Sequence, residues 1–402
     1  MRLIDATLRK LRDFDDESQL PPYAVLSHTW TGYEVTAERL KEAHSTDRGK
    51  RDAVRTTLGY RKIAKACQQA ALDGLDWAWV DTCCINKSSS AELSEAINSM
   101  YRYYRKAAVC YAYLDDVEAE DSPVLPEAQA SEDPASAIYI AEKDLRNARW
   151  FTRGWTLQEL IAPKDVVFYA KGWKLLGRRQ FMRPMLRQIT GISDAALRCG
   201  NLNNESVARR MSWMAKRSTT RVEDMAYSLL GIFDVNMPLL YGEGDKAFIR
   251  LQEEIMKNSD DQSLFAWTPP FTADGPHSPR TAFATHPSDF ATAGNIEYSP
   301  FFFGQGQPFA LTNKGIQLRL CLLPAKTGAE ERYMALLECH YSEESSRKHR
   351  PAIIIQRLTK SATQYCRLAN TSLVPVHVNE WSRAEWKDVY LCKTIPRPWW
   401  QY

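Results

Sequence analysis

Between residues 23 and 170, short apolar runs alternate with segments of helical period, and this alternation restricts the fold more than any other feature of the chain. Residues 23–28 (YAVLSH), 77–85 (WAWVDTCCI), 108–114 (AVCYAYL) and 165–170 (DVVFYA) each read as a strand. Their near-continuous hydrophobicity is that of strands covered on both faces. Residues 58–72 place Ile63, Cys67, Ala70 and Ala71 on one helical face. Ser89 and Glu92 have capping-box spacing, ahead of a helix with Leu93, Ile97, Met100, Tyr101 and Tyr104 at helical intervals. Residues 155–162 read as a short helix stopped by Pro163. Strands separated by such helices predict a mainly parallel sheet with helices on both faces.

At 402 residues the chain is too long for one core. The expected division is an N-terminal segment (1–20), a domain at 21–258 and a C-terminal β-rich domain at 259–402. Within the second, an α/β core runs to about residue 175 and a helical part spans 176–258. That part holds a second capping box, Thr220 with Glu223, and a stripe of Phe248, Leu251 and Ile255. Residues 118–137, rich in Glu, Asp, Ala, Ser and Pro, predict an exposed, mobile insertion. Beyond residue 259, the runs LFAW, PFALT, IQLRLCLL, YMALLECHY, AIIIQRL and DVYLC lie between turn-forming clusters and predict antiparallel strands.

Composition narrows the function. A net charge of +3 with no basic stripe argues against a nucleic-acid partner. The first twenty residues lack a secretory signal, and no run approaches the roughly 20 apolar residues of a membrane helix. Nine cysteines without a CxxC pair predict reduced thiols, no zinc site and a cytoplasmic protein. Cys339, His340 and His349 fit no familiar metal spacing, and the basic run at 347–350 reads as a solvated loop. No GxxxxGK[ST] loop occurs and no GxGxxG follows the first strand. Neither a P-loop nor a dehydrogenase cofactor is expected.

In an open α/β sheet, ligands bind outside the carboxyl ends of the strands. Ser27, His28 and Trp30 fall at that end of the first strand, Asp81, Cys83 and Asn86 near that of the second, and Asp115 and Asp116 at that of the third. In the 155–162 helix, Leu157, Leu160 and Ile161 share one side, expected to face the sheet. Trp155, Gln158 and Glu159 share the other, expected to face a cleft or solvent. The residues leave alternatives open. Glu159 also reads as a surface carboxylate or an ion-pair partner of Arg153, and Trp30, Trp150 and Trp155 as core or rim aromatics. His28 also reads as a structural histidine, Asp81 as a cap of the next turn, and Glu223 and Asp224 as first-turn acids. Cys83 and Cys84, adjacent in a strand, would point to opposite faces.

Four segments, YAVLSHTW (23–30), WAWVDTCCIN (77–86), RWFTRGWTLQEL (149–160) and TTRVEDMAYSLLGIFDVNMPLLYGEG (219–244), resemble the fungal heterokaryon-incompatibility (HET) domain, in that family's order. One departure is Lys87-Ser88, where the family often has Gln-Asp after the CIN tripeptide. WTLQEL is also similar to a helix of Toll/interleukin-1 receptor-like (TIR) domains whose Glu is required for NAD cleavage. The resemblance implies a Rossmann-like, TIR-like core, with Glu159 at the catalytic position. Ser27, His28, Trp30, Asp81, Arg149, Arg153, Trp155 and Gln158 would contact the substrate. Guanidinium forks at Arg149 and Arg153 suit a pyrophosphate. The implied role is regulated cell death in non-self recognition, with NAD+ as substrate rather than cofactor and with self-association or other incompatibility proteins as partners. The alternatives are an interaction module without chemistry, and a nuclease or other nucleotide hydrolase using the acidic groups.

Overall fold

A computed structural model describes residues 1–118, 142–268, 279–299, 308–325, 331–343, 346, 348–358, 361, 363–368 and 372–393. Apart from Glu118, the expected insertion at 118–137 lies outside the described residues, as does Arg347 of the basic run. The chain divides into two compact units, Met1–Asn201 and Leu202–Tyr402.

The first unit is mixed α/β. Its strands are β1 (Arg2–Asp5), β2 (Leu11–Asp13), β3 (Tyr23–His28), β4 (Trp77–Trp79), β5 (Val109–Leu114), β6 (Val166–Ala170) and β7 (Lys174–Arg178). Its helices are α1 (Ala37–Glu42), α2 (Arg48–Arg55), α3 (Leu58–Leu72), α4 (Asp81–Cys84), α5 (Ser90–Lys106), α6 (Glu142–Asn147), α7 (Thr156–Ile161), α8 (Arg179–Thr190) and α9 (Asp194–Cys199). The sheet order is β2-β1-β4-β3-β5-β6-β7. Four neighbours, β4-β3-β5-β6, are parallel, and both edges are antiparallel. Counted along the chain, the parallel strands lie in the order 2-1-3-4. The winding therefore reverses between β3 and β5, a topological switch point. Every residue of β3 and β6 is buried, as their unbroken apolar runs require.

Helix α3 starts where Thr57 accepts the Tyr60 N–H, and it packs on β3 and β4. Gly59 is dictated by close approach, since a Cβ there would sit 2.3 Å from the Tyr33 carbonyl oxygen. Ile63, Cys67 and Ala70 are buried as expected, whereas Ala71 is exposed. Ser89 caps α5 by accepting the Glu92 N–H, but the Glu92 carboxylate accepts from Asn86 N rather than closing a reciprocal box. The expected strand at 77–85 is shorter. It ends at Trp79, and Asp81–Cys84 form the helical turn α4. Cys83 and Cys84 consequently do not alternate across a sheet; both are buried.

The second unit begins with α10 (Val207–Ser212), α11 (Asp224–Tyr227), α12 (Leu230–Phe233) and α13 (Lys246–Asn258). The residue flanking the start of α11 is Glu223 rather than Thr220, and its side chain does not cap the helix. The Glu223 carboxylate accepts from the N–H groups of Gly242 and Gly244, and Asp224 accepts the Tyr241 hydroxyl, so the two acids tie down the YGEG loop. Among the described residues ten strands follow: β8 (Pro279–Arg280), β9 (Ile296–Tyr298), β10 (Ala310–Thr312), β11 (Gly315–Pro324), β12 (Arg332–Leu336), β13 (Cys339–Tyr341), β14 (His349–Arg357), β15 (Gln364–Leu368), β16 (Val374–His377) and β17 (Glu385–Leu391). They form an eight-stranded sheet and the separate pair β9–β13. Their pairings are antiparallel except β15 with β17.

Candidate functional site at the carboxyl edge of the parallel strands

Successive residues of a strand face opposite sides of a sheet. At the end of β3, this rule sends Ser27 and His28 apart, and each anchors its own polar cluster.

On the Ser27 side, the Trp150 indole N–H donates to Ser27 Oγ at 2.7 Å, and the Ser27 hydroxyl donates to Glu159 Oε2. Ser27 and Trp150 are fully buried and Glu159 is 8% exposed. Tyr104 from α5 completes this cluster, its hydroxyl donating to Leu26 O at 3.4 Å. Burial, and then the Glu159 charge, push the Tyr104 phenol well above its ordinary pKa. Of the expectation that Gln158 and Glu159 face a cleft or solvent, the solvent alternative is corrected here, because all six residues of α7 are buried. The helix is packed against β3, α5 and α9, so it has no solvent side. Gln158 Nε2 is buried with no hydrogen-bond partner among the described residues.

On the His28 side, Lys62 from α3 donates to His28 Nδ1 at 2.9 Å and pairs with Glu34. With Nδ1 accepting, the imidazole proton sits on Nε2, which lies 3.3 Å from Asp81 Oδ1. The other Asp81 oxygen accepts the Trp30 indole N–H at 2.8 Å. Trp30 is 52% exposed, and the Lys87 ammonium lies 3.5 Å from its ring centroid. Burial raises the Asp81 pKa, but hydrogen bonding and charge from His28, followed by Lys87 and the Trp30 N–H, outweigh it and leave the carboxyl below its ordinary value. Burial lowers the Lys87 pKa against the pull of Asp81 and Glu34.

A third group closes the edge at the end of β5. Asp115 accepts from Thr29 Oγ1 at 3.1 Å and from Arg149 Nη2 at 2.8 Å, while Asp116 accepts the Arg149 N–H at 2.8 Å. The guanidinium expected to meet a pyrophosphate is thus engaged by these acids. Arg153 and Trp155 are half-buried where α7 begins. The predicted residues therefore do not form one ring. Ser27 joins Glu159, His28 joins Asp81 and Trp30, and β3 runs between the two sets.

Residues 23–159, from the first residue of β3 to Glu159, match the family model for heterokaryon incompatibility protein (HET). This stretch of the chain is a HET domain. Over 265 residues the chain is 46% identical to the vegetative incompatibility protein HET-E-1 of Podospora anserina, an alignment covering 64% of this chain and 18% of that relative. The HET-domain chain thus spans under a fifth of the curated relative. Residues 246–349 match a domain of unknown function (DUF8212). No solved structure matches.

Sequence reasoning about this HET domain missed Lys62, Glu34 and Lys87, and treated Trp150 only as a packing aromatic. Lys62 carried a readable signal, because it lies one helical turn from both Gly59 and Ala66 on the buried face of α3. A lysine there must be paired. The hydrogen bond of Cys83 with Cys84, then burial, raise the Cys83 thiol pKa well above its ordinary value and disfavour the thiolate. Among the described residues, no helix is long and apolar enough to cross a membrane.

Proposed function

We propose that this chain is an effector of heterokaryon (vegetative) incompatibility, and that its HET domain triggers regulated cell death by hydrolysing NAD+ at the bond between nicotinamide and ribose. Relatedness to a vegetative incompatibility protein supports the biological role. The 2-1-3-4 order of the parallel strands supports a Rossmann-like, TIR-like reading of the core. The observation that carries the chemistry is the Trp150–Ser27–Glu159 chain at the switch-point end of β3.

Nicotinamide is cationic in NAD+. When the C1′–N bond breaks, its electron pair returns to the ring nitrogen and nicotinamide leaves neutral, so no general acid is needed. Water then adds its oxygen to C1′ and releases a proton. The Glu159 carboxylate would stabilise the oxocarbenium-like charge on the ribose. Its low exposure strengthens that interaction relative to water. The Ser27 hydroxyl, fixed by the Trp150 N–H, orients the carboxylate. Trp30, held by Asp81, offers a half-exposed ring for stacking.

A second reading is a recruitment module without chemistry. It is favoured by the same burial, since a carboxylate that already accepts from Ser27 also suits a purely structural role. Nicotinamide release from NAD+ by the purified chain at high concentration separates the two. Release by wild type, reduced at least about 100-fold in Glu159→Gln, supports hydrolysis. No release, with equal toxicity of both proteins in a fungal cell, leaves the recruitment module.

A further inference from the structure

At the opposite, amino-terminal edge of the sheet lies a cavity of about 290 Å³ lined by five cationic side chains together with Asp165, Gln180 and Leu197. Lys164 and Asp165 precede β6. Arg178 closes the antiparallel β7, its register placing it beside Val167 at the start of β6. Arg179 and Arg183 come from α8, and Arg198 from α9. Five cations therefore face one hollow. Asp165 pairs with Arg178, and Asp194 pairs with Arg183 and Arg198. Among the described residues, these two carboxylates stand against five positive charges.

Arg179 explains only part of this. It is 2% exposed and donates to four carbonyl oxygens, those of Leu160, Ile161, Pro163 and Lys164, so it caps the carboxyl end of α7. Among the described residues, Lys164, Arg178 and Arg183 make no comparable set of backbone contacts. Helix α8 also enters the cavity without a side-chain cap on its first turn, adding the positive end of its dipole. Like charges held in a recess repel one another, and a bound anion relieves that repulsion.

We propose that this cavity binds a soluble anion carrying linked phosphates. Guanidinium forks match phosphate oxygens, and several arranged around one hollow suit more than one phosphate. The volume falls at the small end of small-molecule sites (roughly 300–1,000 Å³), which favours a compact polyphosphate group over a macromolecule. The site shares no residue with the Ser27 and His28 clusters, so it stands or falls independently of NAD+ hydrolysis. Through Arg179 it adjoins the helix that carries Glu159, and an occupant there would stiffen α7.

The test is calorimetric titration of the full chain with inorganic pyrophosphate near 0.15 M salt. One-to-one binding is expected, weakened about tenfold by Lys164→Gln or Arg198→Gln, and unchanged by Lys41→Gln on α1 or Arg48→Gln on α2. Lys164 and Arg198 are exposed, so these variants fold. Absence of binding overturns the proposal, as does equal weakening by the α1 and α2 variants. Flotation with vesicles containing an anionic phospholipid, without pyrophosphate binding, also overturns it, because it would assign the charges to a lipid surface.

Discussion

Ser27→Ala tests the buried chain that positions Glu159. The hydroxyl both accepts from Trp150 Nε1 and donates to the carboxylate, in a fully buried position. Its removal leaves the indole N–H without an acceptor, a loss of about 1–3 kcal/mol, and deletes a hydrogen bond to a charged group, about 1.5–3 kcal/mol. The two losses share one atom and are not fully additive, so a total near 3 kcal/mol is expected. With a urea slope of roughly 3 kcal/mol per M, the unfolding midpoint of the β3-containing unit should fall by about 1 M. Circular dichroism and tryptophan fluorescence follow the transition. A double-mutant cycle with Trp150→Phe sharpens the test, because phenylalanine removes the orphaned donor. The double variant should cost about 1–2 kcal/mol less than the sum of the singles. A midpoint shift under about 0.2 M, or no coupling with Trp150→Phe, would refute the hydrogen-bonded chain as the device that holds Glu159.

Three further outcomes are expected. Lys62→Met removes the ammonium partner of the little-exposed Glu34 carboxylate, leaving it the Thr31 donors, and frees His28 Nδ1, and should cost about 3 kcal/mol in denaturant unfolding; an effect below about 0.5 kcal/mol contradicts a buried ion pair. The folded-state pKa of Asp81 lies below its ordinary 3.8, so the stability it contributes is present above that value and lost as pH falls through the folded value. Melting temperature should therefore fall more steeply below about pH 4 in wild type than in Asp81→Asn, and parallel curves would discard the pairing. Gly200 ends α9 at φ +62°, and a Cβ there would lie 2.9 Å from the Ile161 carbonyl oxygen. Gly200→Ala should cost at least about 1 kcal/mol in thermal melts, whereas a neutral result would mean the α7–α9 contact yields freely.

The parallel core was legible because its strands are buried on both faces and its helices are long enough to show a period. Residues 23–28, 58–72 and 166–170 needed no other information. Residues 77–85 misled because Val80, Cys83 and Cys84 are apolar in either conformation, and a short apolar run does not distinguish strand from helix. In the second unit the run LFAW proved to belong to a 3-10 turn over Gln262–Phe265. The strands at 364–368 and 374–377 were missed because their arginine, histidine and glutamine residues dilute the alternation. Arg367 is a clear case. It is buried, donating to the Phe265 carbonyl and stacking on Trp267, and reads as a surface residue until those partners are known. The site was legible as a list of polar residues at strand ends but not as an arrangement. The alternation that exposed β3 also separates Ser27 from His28, and only their partners from α3, α4 and α7 reveal two clusters.

Six residues are too few to hold a helix in water, so α7 owes its existence to what surrounds it. Thr156 Oγ1 ties its first turn to the Trp150 and Arg153 carbonyls, Arg179 collects the carbonyls at its far end, and Gly200 abuts Ile161 O. The amphipathic wheel assumes one packed face and one wet face, and a helix enclosed by a strand and two other helices violates that assumption. Burial of Glu159 is therefore a consequence of how α7 is held rather than a property of the WTLQEL stretch alone. The carboxylate can be positioned precisely while remaining barely exposed, and this ties any chemistry at Glu159 to the packing of the whole first unit. Variants that loosen α7 at Arg179 or Gly200, distant in sequence from Ser27, should alter the same property as Ser27→Ala, namely the placement of one oxygen atom at the end of β3.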